Sequence, residues 1–219
     1  MIATGIEKLD KLLGGGIRGG MITDIYGHSG SGKTQLLLQI CVNSLAHDDG
    51  VILYQDATGS FRPERLIEFL HAKGMDQKLL DKMIVGRITN TAEQLSYVDK
   101  ILEIENLNIV VIDNVTDLFS FEYSKESNSL AKHVTFMEYM HKLAHVALKR
   151  QIPVVVTNIT RKSDDEERES LDRSISMFTH QKIKLEKIGQ KYVAQVFPSF
   201  DGKKMTDYII TQTGLEDSS

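Results

Sequence analysis

Apolar residues along this chain fall in short runs, and extended spacing alternates with helical spacing. MITDIY (21–26), VILYQ (51–55), MIVGRI (83–88), NIVVID (108–113) and PVVVTNI (153–159) read as strands. NIVVID and PVVVTNI are continuous apolar runs, as expected for strands covered on both faces. Helical segments lie between them: KTQLLLQICVNSLA after residue 32, a helix opening near Pro63, one over Ala92 to Glu105, and a long one over roughly Ser129 to Arg150. Proline suits a first helical turn because its missing N–H would be unpaired there anyway. Near the end, THQKIKLEKI and KYVAQVF flank Gly189-Gln190 and read as a hairpin, and DYIIT (207–211) is a closing strand. Strands alternating with helices predict an α/β domain, with a mostly parallel sheet flanked by helices. Its last strands are antiparallel and extend one edge. The length of 219 residues, with no repeat and no Pro- or Gly-rich linker, predicts one domain over 1–219.

Composition narrows the setting. No apolar run approaches the length of a membrane span, so no membrane partner is expected. MIATGIEKLDKLL is amphipathic and lacks the order of a signal peptide. A single cysteine, Cys41, excludes an internal disulfide and fits a reducing compartment. An intracellular, cytoplasmic protein is expected. The net charge of −4 counts against a surface that grips nucleic acid all over. The charge is also uneven. SDDEERESLDR (163–173) holds six acids and two arginines, so the remainder is close to neutral. This segment reads as a loop or a short exposed helix.

GHSGSGKT (27–34) satisfies G-x-x-x-x-G-K-[ST], following a strand and opening a helix. Glycines let the backbone wrap a phosphate chain, and N–H groups converge at the helix N-terminus. The candidate phosphate cradle is Gly27, His28, Ser29, Gly30, Ser31, Gly32, Lys33 and Thr34, with His28 a spacer. Lys33 reaches the β- and γ-phosphates, and Thr34 supplies a hydroxyl to Mg²⁺. Asp113, at the C-terminal end of a buried strand, is the second Mg²⁺-side group. ATP and Mg²⁺ are the implied cofactors.

With TGIEKLDKLLGGGI before the P-loop, and FRPERL, VVIDN and VVVTN after it, the chain resembles the ATPase core of the RecA/RadA recombinases. TGIEKLDKLLGGGI is shared with KaiC-type ATPases, whereas FRPERL is particular to the archaeal and eukaryotic recombinases. On this resemblance the chain is expected to begin at the core, without the N-terminal helical DNA-binding domain, and it most resembles archaeal RadB or a related recombinase paralogue. The resemblance implies a RecA-like fold and an ATP-binding accessory factor in homologous recombination and DNA repair. The alternative is a KaiC-like regulatory ATPase with no DNA role, and a third reading is a structural partner with nucleotide as a folding ligand. The implied partners are DNA, single-stranded and weakly held, and a recombinase or paralogue protein.

Two departures from the family pattern bear on hydrolysis. The recombinases place a glutamate, which acts on the attacking water, where DATG holds Thr58. Threonine can hydrogen-bond a water but cannot take its proton near neutral pH. Asp56 and Glu64 stand nearby and read as structural. Ile159 replaces the glutamine that the family uses to relay the γ-phosphate state to its DNA loop. Slow ATP hydrolysis is expected, with no catalytic residue assigned. By resemblance, Arg65 stacks on adenine, Arg62 makes a local pair, and Pro198 caps a neighbour's nucleotide. The DNA-loop counterparts are about Ser120 to Ser129 and Thr160 to Arg173. The acids of the second repel phosphates, although Arg161, Lys162, Arg168 and Arg173 could touch a strand. Lys182, Lys184, Lys187 and Lys191 form a basic group that fits either a solvated strand face or a DNA patch. His141 and His145, one helical turn apart, lack a third metal ligand and read as surface or core residues.

Overall fold

The computed structural model describes residues 1–47, 49–163, 166–197 and 204–218; the side chains of 126, 162, 163, 166 and 167 fall outside that description. In chain order the elements are α1 (Glu7–Leu12), β1 (Ile22–Gly27), α2 (Lys33–His47), β2 (Val51–Asp56), α3 (Pro63–Ala72), β3 (Met83–Arg87), α4 (Thr91–Ile101) and β4 (Leu107–Asp113). Then come α5 (Asp117–Glu122), α6 (Ser129–Arg150), β5 (Val154–Ser163), β6 (Glu166–Glu169), α7 (Asp172–Ile175), β7 (Thr179–Ile188), β8 (Lys191–Phe197), β9 (Lys204–Thr211) and β10 (Gly214–Asp217). The sheet runs β10-β9-β8-β7-β1-β5-β4-β2-β3, with β6 paired to β5. From β7 to β3 the strands are parallel, and β8, β9 and β10 continue antiparallel.

The unbroken apolar runs follow from cover on both faces. Ile109, Val111 and Val155 pack with α2 and α3, whereas Val110, Ile112, Val154 and Val156 pack with α4 and α6. Successive residues of a strand point to opposite faces, so neither face can be polar. Phe69, Cys41 and Met140 are fully covered. Parallel pairing brings the C-terminal ends of β1, β2, β4 and β5 to one edge, where an open α/β sheet presents its ligands.

The structure departs from the sequence pattern in four places. α4 stops at Ile101 rather than Glu105, because the chain turns through Asn106 at φ 50° before β4. β5 continues past Ile159 to Ser163 and pairs antiparallel with β6, so part of the acidic segment is strand. Its pairs, such as Thr160 with Glu169 and Arg161 with Arg168, are polar and leave no apolar signature. The stretch from Ser120 to Ser129 is partly helical, in α5 and in a 3₁₀ turn over Glu126–Asn128. DYIIT does not end the sheet, since β10 follows it.

Both ends of the described chain lean on α1 and α2. The N-cap position of α1 is Ile6, which has no side chain to offer the first N–H groups. Asp217 supplies the acceptors instead, taking Glu7 N at 2.7 Å and Lys8 N at 3.0 Å. Asp217→Ala is therefore expected to destabilise the protein by about 1 kcal/mol, the usual worth of a capping side chain. Urea unfolding tests this, and an unchanged midpoint would contradict it. Along α2, Gln35 donates to the Thr211 and Gly214 carbonyls, and Gln39 exchanges two bonds with Leu215. The Tyr208 hydroxyl reaches the Ser31 carbonyl at 2.7 Å.

Candidate nucleotide-binding site

The Gly27–Thr34 loop joins β1 to α2 at the C-terminal edge of the sheet. Gly27 runs so close to β7 that a Cβ there would lie 2.0 Å from the Leu185 carbonyl oxygen. Gly32 holds φ +91°, which side chains resist, and that turn swings the chain into the helix. Lys33 Nζ folds back over the loop and donates to the Gly27 carbonyl at 2.9 Å and the His28 carbonyl at 2.7 Å. Burial lowers the Lys33 ammonium below the ordinary lysine range, against the opposing pull of Asp113 and Asp117.

Thr34 Oγ1 donates to Asp113 Oδ2 at 2.7 Å. Tyr54 donates to the same oxygen at 3.1 Å, and the Thr157 hydroxyl donates to Oδ1. Three hydroxyls thus fix the Asp113 carboxylate beside Thr34. A hydroxyl and a carboxylate in contact form a hard oxygen pair that fits Mg²⁺. Outside the loop opens a cavity of about 660 Å³, walled by Lys33, Thr34, Leu38, Arg62, Arg65 and Ile210 among others. Arg65 lies 5.5 Å over the Phe69 ring and donates to Glu68 at 2.6 Å, so its guanidinium is held from two sides. Arg62 bonds the Gly59 and Phe61 carbonyls, and Glu64 also lines the cavity.

The DATG turn is built around Asp56. Its carboxylate accepts from the backbone N–H groups of Thr58, Gly59, Ser60 and Phe61 and from the Thr58 hydroxyl, with Arg87 at 3.5 Å. Five donors leave it organising the loop. Thr58 is exposed, and its hydroxyl is engaged with Asp56 at 3.1 Å and with Ser60 at 2.6 Å.

The Rad51 family model matches residues 1–217. The chain belongs to the Rad51 family. Among its relatives are the DNA repair and recombination proteins RadA of Cenarchaeum symbiosum, Metallosphaera sedula and Aeropyrum pernix. They are 36%, 34% and 35% identical over 75%, 72% and 72% of this chain, and over 44%, 52% and 52% of their own lengths. The chain thus spans about half the length of the curated relatives it matches.

In this Rad51-family domain the hairpin lysines are not a spare basic patch. Lys182 contacts the carboxylates of Glu169, Asp172 at 3.0 Å and Asp24 at 3.6 Å, and only 15% of its side chain is exposed. Lys184 pairs with Glu186, Lys191 with Asp207 at 3.2 Å, and Lys187 stands over the Tyr192 ring. Ile183 and Leu185 are buried as the alternation predicts. At Asp24, burial and the neighbouring Glu169 push the carboxyl well above the usual range. Burial alone would lower the Lys182 ammonium, but Asp24 and Glu169 outweigh it and hold it above the ordinary lysine range.

Ile159 pairs in register with Gly27 and offers no polar relay. The polar contacts here are made by the residue before it. Asn158 accepts from Thr116 Oγ1 at 2.6 Å and donates to Glu169 at 2.6 Å and to the Ser170 carbonyl at 2.7 Å. Pro198, Asp164 and Asp165 lie outside the described residues. His141 and His145 are exposed on α6, and among the described residues no group of three or more His, Cys, Asp or Glu is arranged to hold a metal. No helix among them is long and apolar enough to cross a membrane.

The sequence reading missed Tyr54, Thr157 and Asp117. Tyr54 and Thr157 sit inside apolar strand runs, so only the pairing of β2, β4 and β5 brings them to Asp113.

Proposed function

We propose that the chain is an ATP-binding recombinase paralogue, an accessory factor in DNA repair and recombination that binds MgATP and hydrolyses it slowly. The observation that carries this is the pairing of an intact phosphate loop with a turn in which Thr58 takes the place of an acid. Lys33 gives up the Gly27 and His28 carbonyls for phosphate oxygens. Thr34 and Asp113 hold Mg²⁺, which neutralises phosphate charge. Arg65, already held by Glu68 and Phe69, offers a planar face to adenine.

A protein partner is supported by the far edge of the sheet. β3 ends the strand order, and its Ile84 and Val85 are 44% and 42% exposed. An open edge with apolar residues favours pairing with another chain. DNA is held weakly in this reading, because three of the four hairpin lysines are paired with carboxylates. That same neutralisation favours the second reading, a KaiC-like regulatory ATPase without a DNA role.

The test is Mg²⁺-dependent ATP affinity for wild type and Lys33→Ala, with turnover followed in the presence and absence of single-stranded DNA. A charge-assisted contact is worth about 1.5–3 kcal/mol, so affinity should fall roughly ten- to hundredfold. Equal affinity in two folded proteins would defeat the nucleotide reading. ATP affinity that depends on Lys33, with no DNA bound at low salt and no effect of DNA on turnover, would favour the regulatory reading.

A further inference from the structure

Resting on that reading of the site, we propose that the slow turnover runs through Asp117, which orients the attacking water in the place Thr58 cannot fill. Three carboxylates stand where the strands β2 and β4 end: Asp56, Asp113 and Asp117. Asp56 is committed to four backbone N–H groups and a hydroxyl of its own turn. Asp113 is committed to the hydroxyls of Thr34, Tyr54 and Thr157. Asp117 differs. It opens α5, four residues beyond Asp113, and is partly covered rather than exposed. No hydrogen bond reaches its carboxylate among the described residues, so its lone pairs are available to a water.

The charges that act on Asp117 come from three elements: Lys33 on α2, Asp113 on β4 and Arg161 on β5. Its charge and that of Asp113 both act on the phosphate-loop lysine. Asp117 opens α5 just past the end of β4 that carries Asp113, at the same edge of the sheet as the phosphate loop. Burial raises its carboxyl above the usual range, although Arg161 and Lys33 oppose the shift. A carboxylate that ionises nearer neutrality is a better proton acceptor than an ordinary one. The step balances: the water oxygen bonds to the γ-phosphorus, the bridging bond to the β-phosphate breaks, ADP leaves with the bridging oxygen, and the water's proton passes to Asp117. Nothing in the glycine-rich or FRPERL motifs marks this residue. The strand order and the saturation of its two neighbours do.

The experiment compares wild type, Asp117→Asn and Asp117→Glu for MgATP affinity, phosphate release from pH 5 to 9, and thermal stability without nucleotide. In Asp117→Asn, turnover should fall about tenfold or more, nucleotide affinity should stay within about threefold, and the acid limb of the pH profile should vanish. Asp117→Glu should keep part of the turnover and the acid limb. The nucleotide-free protein gives a separate reading. A carboxyl raised by folding makes the native state hold its proton longer than the unfolded chain does. Ionisation then disfavours the fold as pH rises through the raised value. Asp117→Asn removes that burden, so it should melt at or above the wild-type temperature near pH 7, with the advantage fading below the ordinary carboxylate range. Unchanged turnover in Asp117→Asn would overturn the proposal. So would a loss of nucleotide affinity, or a lower melting temperature, since either makes Asp117 a scaffold. A wild type that binds MgATP without hydrolysing it leaves the nucleotide reading standing and sinks this one. A wild type that binds no nucleotide sinks both.

Discussion

Thr58→Glu is expected to raise ATP turnover, with the roughly 10²–10⁴-fold of a positioned general base as the upper bound because Asp117 already supplies part of it. The turn can accept the change. Its shape comes from backbone N–H groups donating to Asp56, and the Thr58 side chain adds only its hydroxyl contacts to Asp56 and Ser60. A new carboxylate would stand near Asp56, but Arg87 at 3.5 Å tempers the repulsion. ATP affinity should fall slightly, because another negative charge faces the γ-phosphate. Steady-state phosphate release measures the gain. Failure in Thr58→Glu and also in the double variant with Ile159→Gln would show that the position does not face the water. Fast wild-type turnover, abolished by Asp56→Asn with nucleotide binding intact, would show that Asp56 acts as the base despite its five donors.

The second large effect concerns stability. Lys182→Met leaves Asp24, which is fully buried, and Glu169, nearly so, facing each other without their cation. Removing one partner of a buried ion pair typically costs about 3–5 kcal/mol, because the remaining charge is uncompensated. The sign of the pH dependence follows from both groups. A raised lysine stabilises the fold below its unfolded value and loses that contribution as pH rises through the folded one. A raised Asp24 binds its proton more tightly when folded, so stability declines as pH climbs above the ordinary carboxylate range. In Lys182→Met the deficit should therefore be largest near neutral pH, smaller toward acid where Asp24 takes up its proton, and smaller again at alkaline pH as the wild-type lysine loses its charge. Urea unfolding across that range measures it. Adding Asp24→Leu should recover much of the loss, because the cluster then holds one fewer buried acid. A deficit that is flat with pH and not relieved by the second change would mean that lost packing, not charge, was responsible.

Legibility from sequence followed the range of the interactions. β1, β2, β4 and the first half of β5 are local apolar runs, and each lies where its pattern places it. The phosphate loop is eight consecutive residues, and its strand–loop–helix context is written beside it. β6 and β10 are four-residue strands with polar content, specified by their partners β5 and β9 rather than by themselves. The Lys182 cluster draws Asp24 from β1, Glu169 from β6 and Asp172 from the first turn of α7, so no spacing along the chain could announce it. Lys182 is neutralised through contacts 10 to 158 positions away, whereas Lys184 pairs with Glu186 only two positions on. Asp117 was hidden for the opposite reason. It is close to Asp113 in sequence, but its interest lies in lacking the hydrogen bonds that its neighbours have.

The bonds from α2 to the β9–β10 ribbon fix an order of assembly. The phosphate loop and its helix are translated early, yet Gln35, Gln39 and the Ser31 carbonyl find their partners only in residues 208 to 215. During synthesis, Gln35, Gln39 and the Ser31 carbonyl therefore have water in place of these partners until residues 208 to 215 have emerged. A chain stalled before residue 208 would present a phosphate loop that lacks this brace.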